Sequence, residues 1–268
     1  MSLETKYQKY KDTLKRDKHG FIEYERCDSL LFTGLVGTVP GINVDIMAAY
    51  EPVSKTWRRR PIENSCYPVG SKSTISRDMF VGLAWYCWKH DRKDIANEIV
   101  KYALSHWMIM GEASSLKDKI GRCFLGFGLL GTFARISGKY RWLWWLPVDM
   151  PKAPVMEGYQ AHLQVLHRLL RHKITGKDPS KDKMLQAQAA RQPENPLFNA
   201  AIGNKDKALE VLSNTKYWPE NRLPTAKDRH EAWLPMRDKG SDWEPGTGKS
   251  IHSGGDFLFC YGLINGDI

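Results

Sequence analysis

The sequence predicts an all-α fold built from antiparallel helical hairpins with long connecting loops. Three observations carry that expectation. Apolar residues recur at three- and four-residue spacing over long stretches, the period of a helix with one buried face. Successive stretches are joined by links as short as His90–Asp91–Arg92 and Gly203–Asn204, which fold neighbouring helices back on one another. No stretch alternates cleanly, and no Asn-Gly or Asp-Gly turn joins β-branched runs, so strand signals are weak.

In chain order, residues 1–18 are polar and rich in Lys and read as a peripheral N-terminal segment. A helix starts after Asp28 with Leu30, Leu31 and Phe32. Ser76–Arg77–Asp78 forms an N-cap and acidic first turn for a helix over 76–90, whose Met79, Phe80, Leu83, Tyr86 and Cys87 share a face. The next helix spans 92–109, with Ile95, Ile99, Val100, Tyr102, Ala103, Leu104 and Trp107 as its apolar positions. Further helices fit 119–137, 157–174, 181–190, 196–202 and 205–214, and a last one begins after Gly255. Loops at 38–75, 138–156 and 215–253 are rich in Pro, Trp and charge, and loops of that length inside a compact domain usually carry function. No composition break marks a boundary, so the 268 residues read as a single domain.

Composition narrows the partners. Forty basic against 30 acidic residues leave a net charge of +10, which favours polyanions. The only dense basic cluster is Trp57–Arg58–Arg59–Arg60, acidic and basic residues are otherwise interspersed, and no zinc-finger or RRM signature is present. Nucleic acid is therefore not the expected partner. No apolar run approaches the roughly 20 residues that span a bilayer, so no membrane span is expected. The N-terminus does not resemble a signal peptide. Five cysteines at wide spacing form no CxxC pair; Cys87, Cys123 and Cys260 sit in apolar runs and read as buried reduced thiols. A reducing cytoplasm or a phage-associated setting suits them.

Three segments share a layout. In each of 27–35, 76–83 and 255–263, an Asp opens an apolar helix that carries a Gly four to six residues later. The Gly allows a neighbouring helix to approach closely. Helical hairpins with these acidic starts, together with Trp-rich loops, resemble the α/α-toroid, or six-hairpin, carbohydrate-active enzymes. The resemblance rests on Cys27–Asp28–Ser29–Leu30–Leu31–Phe32–Thr33–Gly34, Ser76–Arg77–Asp78–Met79 and Ser253–Gly254–Gly255–Asp256–Phe257–Leu258–Phe259. It implies inner helices around a funnel whose wide end binds a saccharide. A closed six-hairpin ring needs twelve helices and this chain offers eight to ten, so the expected array is toroid-like and incomplete.

Glycoside hydrolysis commonly uses two carboxylates, about 5–5.5 Å apart for retention or about 6.5–9.5 Å for inversion. Asp28, Asp78 and Asp256 are the candidates, each at a helix start, with Glu112 as a further one. His252 precedes Gly254 and Gly255, which permit close backbone approach and leave helix N–H groups for an anion. Arg77, Tyr67, Arg229, His230 and Arg237 would bind substrate; in a lyase they would neutralise a uronate and move its proton. Trp233 and Trp243 offer flat faces for a sugar ring. The cluster Trp142–Leu143–Trp144–Trp145 reads first as core and second as a sugar platform. Asp228, His230, Glu231, Asp238, Asp242, His252 and Asp256 are all metal-ligand types, but no HExxH spacing links them, so no catalytic metal and no cofactor are expected. Gly246–Thr247–Gly248–Lys249–Ser250 lacks the preceding strand of a phosphate loop. His162 and His167 lie five apart on one helix and read as structural.

The expectation is a carbohydrate-active enzyme acting on a polysaccharide or oligosaccharide, an acidic one suiting the basic charge, with hydrolase favoured over lyase. The alternative is a non-enzymatic glycan- or polyanion-binding assembly protein.

Overall fold

Local sequence asks for helix, and helix dominates. The computed structural model describes residues 1–23, 29–61, 74–112, 122–146, 158–225, 228 and 253–268. Of these, 57 % are helical and 6 % lie in strands, in line with the all-α expectation. The α-helices are α1 (Leu3–Asp12), α2 (Ser29–Val36), α3 (Met79–Lys89), α4 (Lys93–Ser105), α5 (Phe127–Ser137), α6 (Gly158–Thr175), α7 (Lys183–Arg191), α8 (Pro196–Ala201), α9 (Lys205–Ser213) and α10 (Gly255–Asn265). Two small antiparallel hairpins join them: β1 (Tyr50–Glu51) with β2 (Thr56–Trp57), and β3 (Ile109–Glu112) with β4 (Arg122–Phe124). The sequence carried little signal for these strands, because they are too short to alternate.

The chain divides into two compact units, one made of Met1–Lys15 with Lys152–Ile268 and the other of Arg16–Pro151. In the second unit every residue of α2 is buried, as an all-round apolar helix requires. It crosses α3 at the two glycines of the shared layout. A Cβ on Gly34 would overlap the Gly82 carbonyl group, and one on Gly82 would overlap that of Leu31. Helix α3 departs from its expected start. Asp78 holds the N-cap position but is itself helical (φ −61°, ψ −32°) and makes no side-chain capping bond; instead its Oδ1 accepts from Ser76 Oγ. Helix α4 stops at Ser105, short of the expected 109, because Trp107 and Met108 turn left-handed (φ +54° and +64°). Helix α5 starts at Phe127, later than expected, because residues 122–124 pair with β3.

The first unit is held by well-formed caps. Ser2, Asp182, Asn195 and Asn204 each accept from backbone N–H groups at the starts of α1, α7, α8 and α9. Pro196 follows Asn195 at the first helical position, where its missing N–H costs nothing. Helix α1 packs on α10 through rings: Tyr7 stacks on Tyr261 at 4.6 Å and Tyr10 on Phe257 at 4.7 Å, with Trp218 edge-on to Phe257 at 5.4 Å. Gly254, at φ +76°, starts α10 where any side chain would enter the Tyr10 ring. Lys6 of α1 is 1 % exposed, and its ammonium donates to the Leu212 carbonyl (3.0 Å) at the end of α9. Asp182, besides capping α7, accepts two bonds of 3.0 Å from Arg168 and one of 2.8 Å from His172. Burial works to raise its pKa, and these hydrogen bonds hold it below the usual carboxylate value.

Cys87, Cys123 and Cys260 are free and buried, as expected; Cys27 and Cys66 lie outside the described residues. No helix among the described residues is long and apolar enough to cross a membrane.

Candidate functional site

Of the residues singled out in the sequence, Asp28, Tyr67, Arg229, His230, Trp233, Arg237, Trp243 and His252 lie outside the described residues. Asp78 is half-buried in the second unit. Arg77 beside it is exposed, and its Cδ lies 3.7 Å from where a Cβ on Gly126 would sit, next to the start of α5. Asp256 belongs to the first unit, is 1 % exposed, and accepts from the Phe257 N–H at 3.1 Å. Asp78 and Asp256 thus each sit in the surroundings of their own unit.

Asp228, read as a metal-ligand type, is a loop anchor. Its carboxylate accepts from Arg222 at 2.6 and 2.8 Å, and from the Thr225 N–H and hydroxyl at 2.8 and 2.7 Å. Burial alone would raise its pKa, but the bonds from Arg222 and Thr225 bring it down to about 2. Among the described residues no group of three or more His, Cys, Asp or Glu is placed to hold a metal ion. His162 and His167 are both buried. The Trp142–Trp145 cluster divides: Leu143 is buried, and Trp144 donates to the Ala134 and Lys139 carbonyls at 3.1 and 3.0 Å, sealing the end of α5. Trp142 and Trp145 point outward, 59 % and 74 % exposed. Only half of that cluster is therefore core.

The second unit also has a cleft of about 120 Å³ that the sequence reading did not single out. One wall is the β1–β2 hairpin. Tyr50 and Trp57 face each other across it with ring centroids 5.2 Å apart, and Trp57 is buried, so that wall is fixed. The other wall is the outer face of α4. Glu98, Lys101, Tyr102, Ser105 and His106 line it at the i, i+3, i+4, i+7 spacing of one helix face. Tyr102 and His106 stack at 3.9 Å, only 8° from parallel, giving a continuous flat surface. Lys55, at the left-handed tip of the hairpin, completes the rim.

Burial raises the phenol pKa of both Tyr50 and Tyr102, with Glu98 adding to the effect at Tyr50. Both phenols are therefore neutral hydrogen-bonding groups, not bases. His106 is oriented by its own helix: Nδ1 lies 3.0 Å from the Tyr102 carbonyl and 2.9 Å from Ser105 Oγ. A carbonyl only accepts, so Nδ1 carries the hydrogen and Nε2 presents a lone pair. Just beyond, Trp107 is 88 % exposed and takes the left-handed conformation in which helix ends usually place glycine. Such a conformation in a bulky residue costs on the order of 1–3 kcal/mol, and strain of this kind clusters at binding sites.

The signal for this cleft was present but obscured. Tyr102 sits close enough to Ile99 and Ala103 in sequence to pass for core. Residues 98, 101, 102, 105 and 106 form a stripe that runs beside buried Ile95 and Ile99, and Ile99 itself lines the cleft. Only the hairpin, 40 residues or more away in sequence, turns that stripe into a site.

Compared with known proteins, the chain matches no family model, no curated protein and no solved structure.

Proposed function

We propose that this chain is a carbohydrate-active protein that takes a saccharide in the aromatic cleft of its second unit. One observation carries the reading: an open cleft walled by Tyr50, Trp57 and the Tyr102–His106 stack, with hydrogen-bonding groups around its rim. Sugar rings present apolar C–H faces and an equatorial belt of hydroxyls. An aromatic floor with neutral phenols, a carboxylate and ammonium groups at its edge matches both. The cleft is smaller than the roughly 300–1,000 Å³ of drug-sized ligand sites, so it holds a single ring of a longer chain. Support for a toroid-like, incomplete array comes from helices that pack on their sequence neighbours: α2 on α3, α4 on α5, α7 on α8 and α8 on α9.

The second reading is glycosidic-bond hydrolysis. It is favoured by Asp256, a carboxylate 1 % exposed at the start of α10, because buried, desolvated carboxylates are the groups glycosidases use as acids.

One experiment addresses both. Binding of a panel of neutral and acidic oligosaccharides is measured by calorimetry for the wild type and Tyr102→Ala, and reducing ends are counted in the same mixtures. Tyr102→Ala is expected to weaken binding by about tenfold or more, the value of roughly 1–3 kcal/mol for a lost ring platform. Reducing ends that accumulate with wild type without the ultraviolet absorbance of an unsaturated uronate make the chain a hydrolase, and the same ends with that absorbance make it a lyase; binding without release makes it a binding protein. A folded wild-type protein that binds nothing on the panel overturns the proposal.

A further inference from the structure

We infer that the cleft selects an acidic sugar, and that His106 makes this selection proton-dependent. The inference rests on the saccharide reading above and narrows its ligand to a ring bearing a carboxylate, as in a uronate.

The titratable groups that line the cleft with His106 come from both walls. From α4 they are Glu98, Lys101 and Tyr102; from the hairpin they are Tyr50 and Lys55. Neither ammonium makes a hydrogen bond or ion pair among the described residues, whereas Lys93, Lys181 and Lys207 of the same chain are paired with carboxylates. Among the described residues Glu98 is the only carboxylate on the cleft, and its side chain accepts a long 3.4 Å contact from Asn97. Two cations against one anion leave the cleft positive. A sugar carboxylate is accommodated beside Lys55 and Lys101, while Glu98 accepts from ring hydroxyls.

His106 adds the proton dependence through its orientation. With Nδ1–H committed to the Tyr102 carbonyl, the neutral ring offers a lone pair at Nε2, which repels a carboxylate. Protonation converts Nε2 into a donor and adds a third cation to the rim. A hydroxyl is indifferent to that change, since it can rotate to donate or accept. Only an anionic ligand is sensitive to it.

The test uses the full chain with a galacturonate tetramer and its methyl ester, which removes the carboxylate charge at the cost of one methyl group per ring, at pH 7.5 and 5.5. The acid is expected to bind at least about tenfold more tightly than the ester at pH 5.5. Its affinity is expected to rise about threefold or more between pH 7.5 and 5.5 while that of the ester stays level. His106→Gln, which keeps a polar side chain but cannot take up a proton, should abolish the rise. Lys55→Met combined with Lys101→Met should bring acid and ester to equal affinity. All these residues are on the surface, and circular dichroism confirms that the variants fold. Equal binding of acid and ester by wild type, or a pH slope that survives in His106→Gln, overturns this inference and leaves the saccharide reading standing. Binding of neither overturns this inference, while the saccharide reading falls only if the whole oligosaccharide panel also fails to bind.

Discussion

Lys6 shows how much one side chain can decide. An ammonium that is 1 % exposed loses its hydration, and here the return is a bond to the Leu212 carbonyl, one of the acceptors that the end of α9 leaves unmatched. Burial pushes its pKa down to about 8, with Glu220 pulling in the other direction. The unfolded chain, with an ordinary lysine, binds the proton more tightly. Between pH 8 and 10 the unfolded state therefore carries more protons, and stability rises with pH. Below pH 8 the cost of the buried charge is constant. Above pH 10 the phenols of Tyr7 and Tyr261, raised mainly by burial, act in the opposite sense, because their contribution is lost on ionisation. Urea denaturation at pH 7.5 and 9.5 should show the stability of wild type relative to Lys6→Met rising by on the order of 1–2 kcal/mol; the Cys87 thiol, pushed up by burial, acts in the opposite sense in both proteins and cancels in the comparison. A difference between the two that does not grow over this interval would refute the assignment. Nothing in the local sequence of α1 marks Lys6 as different from Lys9 or Lys11. Its fate depends on which face of α1 meets α9.

At the scale of elements, the shared layout of Asp, apolar run and Gly turns out to hold two different facts. The glycines were legible for what they do: Gly34 and Gly82 let α2 and α3 cross backbone to backbone. Replacing either by Ala should cost about 2–4 kcal/mol, since a backbone carbonyl cannot rotate out of the way as a side chain can. The double variant should cost less than the sum, because the first methyl already forces the helices apart. Thermal or urea unfolding of the three variants measures this, and additive effects would mean that the two glycines do not share a crossing. The acids were less legible. Asp78 does not cap α3 with its side chain, whereas Asp182, Asn195 and Asn204 do cap their helices. A capping residue must lie outside the helical backbone region so that its side chain can fold back onto the next N–H groups, and Asp78 is already helical. Residue type is visible in sequence; that backbone angle is not. Helix α4 repeats the lesson at its other end, where Trp107 at a left-handed position replaced the expected last turn.

For the whole molecule, chain ends matter more than their composition implied. Residues 1–18 read as peripheral because they are polar, yet Tyr7 and Tyr10 are buried against rings of α10, near the far end of the chain. Burying two such rings contributes about 3–6 kcal/mol. A chain lacking residues 1–15 should melt about 6–24 °C lower, at roughly 2–4 °C per kcal/mol for a protein of this size. An unchanged melting temperature would show that α1 adds nothing to the unit it packs on.

Helix content, the position of most helices and the buried cysteines were determined by the sequence itself, because they depend on the spacing of apolar residues over a turn or two. Tertiary structure decided the rest: which cation is buried, which Asp caps, which half of the tryptophan cluster faces water, and where the aromatic cleft lies. Each of those depends on two segments distant in the chain meeting face to face. Tyr50 and Tyr102 become one site only because the hairpin packs beside α4, and no local pattern records which face of a helix will gain such a neighbour.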